Sequence, residues 1–160
     1  MSHVNFNKIF ADSFEDFKVF ENLDASQASM SSSGAPNSIW QILNHLIIWQ
    51  DYLLKNLKGI PTPDINEMNT WVEDKIILDN NILSEKIEIF HHQIQQIKDE
   101  IKLLKIDNYK IEGNLKTIQD MTIHLSFHIG EIVLIRRQLG QYPLPNEMKD
   151  FLTKDKNSND

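Results

Sequence analysis

No cysteine occurs among the 160 residues. That removes disulfides, thiolate nucleophiles and every zinc site built on sulfur, so a transition metal here would be held by histidine with carboxylate or water. Positive charge is also scarce. Sixteen Lys and Arg stand against 23 Asp and Glu, a formal net charge of -7, and the pI is near 5.3. Nucleic-acid binding needs clustered Lys and Arg to release counterions, so no nucleic-acid partner is expected. The densest basic stretch, residues 98–110, is broken by Asp99, Glu100 and Asp107 and reads as a solvated helix face. No apolar run approaches the ~20 residues that span a bilayer, so no membrane partner is expected either. There is no Gly-rich phosphate loop, no internal repeat and no strand-period segment long enough to demand a sheet. The opening Met1-Ser2-His3-Val4-Asn5-Phe6 lacks the basic-then-apolar order of a secretory signal, which predicts a soluble, cytoplasmic protein.

What is present is helical periodicity. Residues 3–23 carry Phe6, Ile9, Phe10, Phe14, Phe17 and Phe20 near one face and are expected to form a first helix. The small and polar stretch 25–36 is expected to be a mobile loop. A second helix opens at Asn37 or Ser38, where Ser38-Ile39-Trp40-Gln41 has the capping-box pattern, and stops at Gly59 ahead of Pro61 and Pro63. Residues 60–79 form a long crossover, a length that is often functional in a compact domain. The third helix is expected over 81–104, with Leu83, Ile87, Phe90, Ile94, Ile97 and Ile101 as its stripe. The fourth is expected from a box-like Thr117-Ile118-Gln119-Asp120 to Gly140. The fold class is therefore all-α: a four-helix bundle with a long crossover between helices 2 and 3, a single domain over 1–152, and a disordered polar tail over 153–160.

Within that pattern, three of the six histidines stand out. His124 and His128 are spaced i, i+4, which puts both rings on one face of a helix about one turn apart, where they can share a metal ion. His45 falls on the shoulder of the second helix's apolar stripe, and His124 lies on the same shoulder of the fourth. Each follows its helix start by seven residues, His45 after Ser38 and His124 after Thr117, so the two sit at similar depth. Three histidine ligands leave coordination positions open, as a catalytic metal requires. His91, in Glu88-Ile89-Phe90-His91, is the candidate for a fourth ligand that would close the site; a di-metal centre would need a second such motif and matching carboxylates, which are missing. Ser126 has no elbow motif around it to support a serine hydrolase. Trp40, Trp49 and Tyr52 read as packing residues.

Two stretches together resemble the DinB/YfiT-like superfamily of metalloenzymes. One is Ser38-Ile39-Trp40-Gln41-Ile42-Leu43-Asn44-His45-Leu46-Ile47-Ile48-Trp49, similar to that family's His-bearing second helix. The other runs from Thr122 through His124, His128, Gly130 and Glu131 to Arg136-Arg137-Gln138-Leu139-Gly140, similar to its last helix. The resemblance implies a four-helix bundle, usually a homodimer, with Ni²⁺, Zn²⁺ or a similar divalent ion on His45, His124 and His128. It also implies thiol-dependent transferase or hydrolase chemistry on a small-molecule substrate, with a low-molecular-weight thiol as partner. A homodimer is also suggested by the first helix, which carries more phenylalanines than one face of the bundle needs. Glu131 follows His128 by three residues and is the candidate catalytic carboxylate, as a general base or as an acceptor that orients a ligand imidazole. The competing reading is a non-catalytic metal-binding or interaction bundle, and a site closed by a fourth ligand would favour it.

Overall fold

The computed structural model describes residues 4–154, all-helical with no strand among them. Its elements are α1 (Phe6–Ile9), α2 (Ala25–Ala28), α3 (Ile39–Leu57), a 3₁₀ turn (Ile65–Glu67), α4 (Asn80–Lys102), α5 (Ile111–Gln138) and α6 (Met148–Thr153). Three helices are long, at 19, 23 and 28 residues, and α3 packs against both of the others. None is long and apolar enough to cross a membrane.

α3 forms where its capping signal says. The Ser38 hydroxyl accepts from the Gln41 amide, and the Gln41 side-chain oxygen accepts from the Ser38 amide, so two orphan N–H groups are satisfied reciprocally. At the other end Gly59 takes φ +69°, which lets the Ile60 amide donate back to Lys55 O and close the helix. Ile39, Ile42, Leu43, Leu46 and Leu53 are buried from this helix; Leu83, Phe90, Ile94, Ile97 and Ile101 face them from α4 at helical spacing. α5 contributes Ile118, Met121, Leu125, Ile129, Ile132 and Ile135. All belong to one apolar cluster.

Three expectations need correction. The helix expected over 3–23 is a single turn at Phe6–Ile9; beyond it Phe17, Lys18 and Asn22 take left-handed φ of 52°, 55° and 55°. Phe6, Phe14, Val19 and Phe20 are buried nonetheless, because tertiary tethers hold the irregular chain in place. Arg136 Nη1 donates to Val19 O at 2.6 Å, the Tyr142 hydroxyl donates to Phe17 O, and Lys18 Nζ donates to Phe151 O at 3.2 Å. Those phenylalanines fill the chain's own core. The stretch expected as a mobile loop contains α2, capped by a reciprocal Asp24–Gln27 box, with Ala25 and Ala28 buried against the cluster. Finally, α5 begins at Ile111, six residues before the expected start at Thr117. Thr117 sits inside it with its hydroxyl donating to Gly113 O at 2.9 Å, four residues back, instead of capping. The expected tail is helical through Thr153, and residues 155–160 lie outside the described region, as does His3 at the expected start of the first helix.

Candidate metal centre

His45 projects from α3, and His124 and His128 from one face of α5, at the level where the two helices pack. One ring nitrogen from each lies within 4.8 Å of the others. His45 Nε2 and His124 Nε2 are 3.0 Å apart. With metal–nitrogen bonds of about 2.0–2.1 Å, two imidazoles on one ion have their nitrogens roughly 3 Å apart, so the spacing suits a shared ion. The ring centroids are 4.6–5.0 Å apart, and His45 and His128 are 5% and 6% exposed, so water is largely kept from both.

Two of the three tautomers are set by neighbours. His45 Nδ1 donates to Thr70 O at 3.1 Å, and His128 Nδ1 donates to a Glu131 carboxylate oxygen at 2.6 Å. Each bond leaves the Nε2 lone pair free, the form in which imidazole ligates. His124 Nδ1 is buried with no partner, and so neither tautomer of His124 is fully satisfied. The donor set, three imidazoles with two outer nitrogens braced, could hold a metal ion, and no fourth candidate ligand joins the cluster among the described residues.

Aromatic rings enclose the cluster. The Trp71 indole stacks on His45 with centroids 3.9 Å apart and planes 10° from parallel, and Trp49 lies 4.5 Å from the His124 ring. Thr70 and Trp71 belong to the 60–79 connection, which therefore forms a wall of the histidine cluster. It is moored at the start of α3, where Gln41 Nε2 donates to Val72 O and the Ser38 hydroxyl donates to Lys75 O, both at 2.8 Å. The 25–36 stretch packs on Ile77 of the same connection through Ser29. Trp49, expected as a packing residue, is part of the centre's lining. Neither Thr70 nor Trp71 was anticipated; the available signal was a lone tryptophan inside a connection with two prolines.

His91 lies elsewhere. It is exposed, and its Nε2 pairs with Asp16 at 2.8 Å, so the candidate fourth ligand is not brought to the cluster. Ser126 is exposed on the outer face of α5. On the open side, His124 lines a cleft of about 390 Å³ between α3 and α5.

Burial pushes the His45 imidazole down to about 4, partly opposed by the Thr70 carbonyl and reinforced by His128. Burial, with His128 and His45 adding to it, pushes His124 down to about 3. Both stay neutral when folded, whereas in the unfolded chain they take up protons near the ordinary 6.5. Between those values the unfolded state binds more protons, so their contribution to stability is complete above about pH 6.5 and is lost as pH falls toward 4. The melting temperature of chelator-treated protein is expected to drop over that interval, and His124→Phe should remove part of the drop. A pH-independent gap between the two proteins would contradict buried neutral imidazoles.

No protein-family model, curated protein or solved structure matches the chain. The residues themselves therefore carry the functional reading.

Proposed function

We propose that this protein is a metal-dependent enzyme of the DinB/YfiT-like kind, a four-helix bundle in which the irregular 10–24 segment stands in for part of the first helix. Its divalent ion, Ni²⁺ or Zn²⁺, is held by His45, His124 and His128. The observation that carries this is the convergence of three ring nitrogens within 4.8 Å, with two imidazoles braced from outside. When bound, such an ion acts as a Lewis acid and lowers the pKa of a water or thiol. The chain's own residues supply the rest. Thr70 O and Glu131 orient His45 and His128, Trp71 and Trp49 cover ring faces and exclude water, and the α3–α5 cleft admits a small molecule on the His124 side. A thiol transferase or hydrolase reaction is the class this supports. The absence of a fourth ligand among the described residues, together with the cleft at His124, favours it over a closed, non-catalytic site.

Glu131 acts here as a positioning residue, since one carboxylate oxygen is committed to His128 Nδ1. Glu131→Gln should weaken metal binding by about 10–100-fold, the usual cost of losing such a brace. Competition titration with a chromogenic chelator measures this, and an unchanged affinity would return Glu131 to the role of a surface carboxylate. The reading as a whole is tested by elemental analysis of purified protein, followed by a screen of small thiols and electrophiles. Protein that takes up no divalent metal would overturn it. Pairing into a homodimer belongs to the same proposal and is checked by light scattering.

A further inference from the structure

The cleft at His124 has two matched walls. Trp49, Tyr52 and Asn56 come from α3; Thr117, Asp120 and His124 come from α5. Each wall covers eight residues, ~10 Å end to end at the helical rise. Trp49 and His124 meet at one end with rings 4.5 Å apart, so both walls recede from the histidine cluster together and end at Asn56 and Thr117. Leu53 and Met121 supply apolar surface between them.

The charges in this channel are one-sided. Among the described residues lining it, Asp120 is the only one that carries charge at neutral pH, one helical turn (four residues) from His124. No Lys or Arg lines the channel. The neighbouring cation, Lys116, donates to both Asp120 carboxylate oxygens at 2.5 Å, and both side chains of that pair are more than half exposed. An exposed i, i+4 pair of this kind contributes little and is readily exchanged for another cation. Trp49 and Tyr52, edge to face at 6.1 Å, present aromatic surface of the type that attracts ammonium groups. An anionic body in the same place would meet that carboxylate with only the exposed Lys116 pair to offset it, on a protein of net charge -7.

We propose that this α3–α5 channel is the substrate site of the three-histidine centre and that it takes an amine-bearing amphiphile, with Asp120 receiving the ammonium and the aromatic pair its apolar body. Anionic metabolites such as phosphate esters and dicarboxylates are rejected. The assignment rests on the metal-centre reading for its link to catalysis, but the charge preference belongs to the channel alone.

Three probes with one body and different heads test it: 4-phenylbutylamine, 4-phenylbutanol and 4-phenylbutyrate, titrated calorimetrically into the full chain, chelator-treated and Zn²⁺-loaded. In the chelator-treated protein the amine should bind about tenfold more tightly than the carboxylate, as a charge-assisted hydrogen bond at a partly exposed site allows. Asp120→Asn should bring the amine and carboxylate to near equality without weakening the alcohol, and Lys116→Ala should strengthen the amine. Equal or tighter binding of the carboxylate, no binding of any probe, or an unchanged preference in Asp120→Asn would overturn the proposal. Metal content of the same samples separates the two readings. A preference that persists in protein unable to take up Zn²⁺ supports the channel and sinks the metal centre, whereas Zn²⁺ uptake without the preference sinks the channel alone.

Discussion

His128→Ala and His124→Ala should each lose stoichiometric metal while keeping a helical circular-dichroism spectrum. In the proposed centre each residue would supply one of three protein donors, and removing a ligand costs more than removing the brace behind it. Affinity should therefore fall by more than about a hundredfold. The helices should outlast the ion because their stability comes from the apolar cluster of α3, α4 and α5, which contains none of the three histidines. A modest drop in melting temperature is expected for His128→Ala, since that ring is buried and its removal leaves space. Elemental analysis checks the first part and thermal melting the second. Both variants retaining one equivalent of metal would contradict the centre; helix content collapsing in step with metal release would identify a structural ion instead.

The largest loss of stability is expected from Phe90→Ala. Phe90 is fully buried on α4, and the ring of Phe20 stands edge-on to it at 5.0 Å. Truncating a buried phenylalanine typically costs about 3–5 kcal/mol, from lost transfer energy and the cavity left behind. Small domains have about 5–15 kcal/mol in total, so the variant should unfold at a much lower denaturant midpoint. Phe127→Ala is the control. Phe127 is 65% exposed on the outer face of α5, so its loss should change stability by less than about 0.5 kcal/mol. Similar midpoints for the two variants would mean that Phe90 does not occupy the core position seen here.

Phe90 and Phe20 also show where sequence reasoning reached and where it stopped. Phe90 was legible because Leu83, Phe90, Ile94, Ile97 and Ile101 recur at the helical period and α4 has nothing to interrupt it. Phe20 was placed correctly in the core but on the wrong backbone. Aromatic spacing reports burial, whereas the left-handed turns at Phe17, Lys18 and Asn22 depend on bonds from Arg136 and Tyr142, more than 100 residues away in the chain. No local signal encodes such tethers. Likewise, Thr117 and Asp120 imitate a capping box in the middle of α5, where the hydroxyl turns to Gly113 O instead.

The histidines were legible for the same reason as α4, since their position on a helix face follows from spacing alone. His124 and His128 share a face by the i, i+4 rule, and the i, i+3 step from His128 to Glu131 placed that carboxylate within reach. The outer wall was not legible. Thr70 and Trp71 lie 25 and 26 residues beyond His45 in a connection with no periodicity to read, whose path is set by bonds from Ser38, Gln41 and Ser29. His91 failed as a ligand because its neighbour across the fold is Asp16, in the segment whose path was misread.

The indole of Trp71 lies flat on one ligand ring and that of Trp49 beside another, which puts two of the chain's three tryptophans in van der Waals range of the centre. Excited indole is quenched by paramagnetic or heavy neighbours and by protonated imidazole, and all of these would arise at the rings it touches here. Ultraviolet emission from the unlabelled protein should therefore act as an optical gauge of the centre. It would dim as Ni²⁺ enters, change little with Zn²⁺, and fall again when acid charges the imidazoles, with Trp40 as a steadier background.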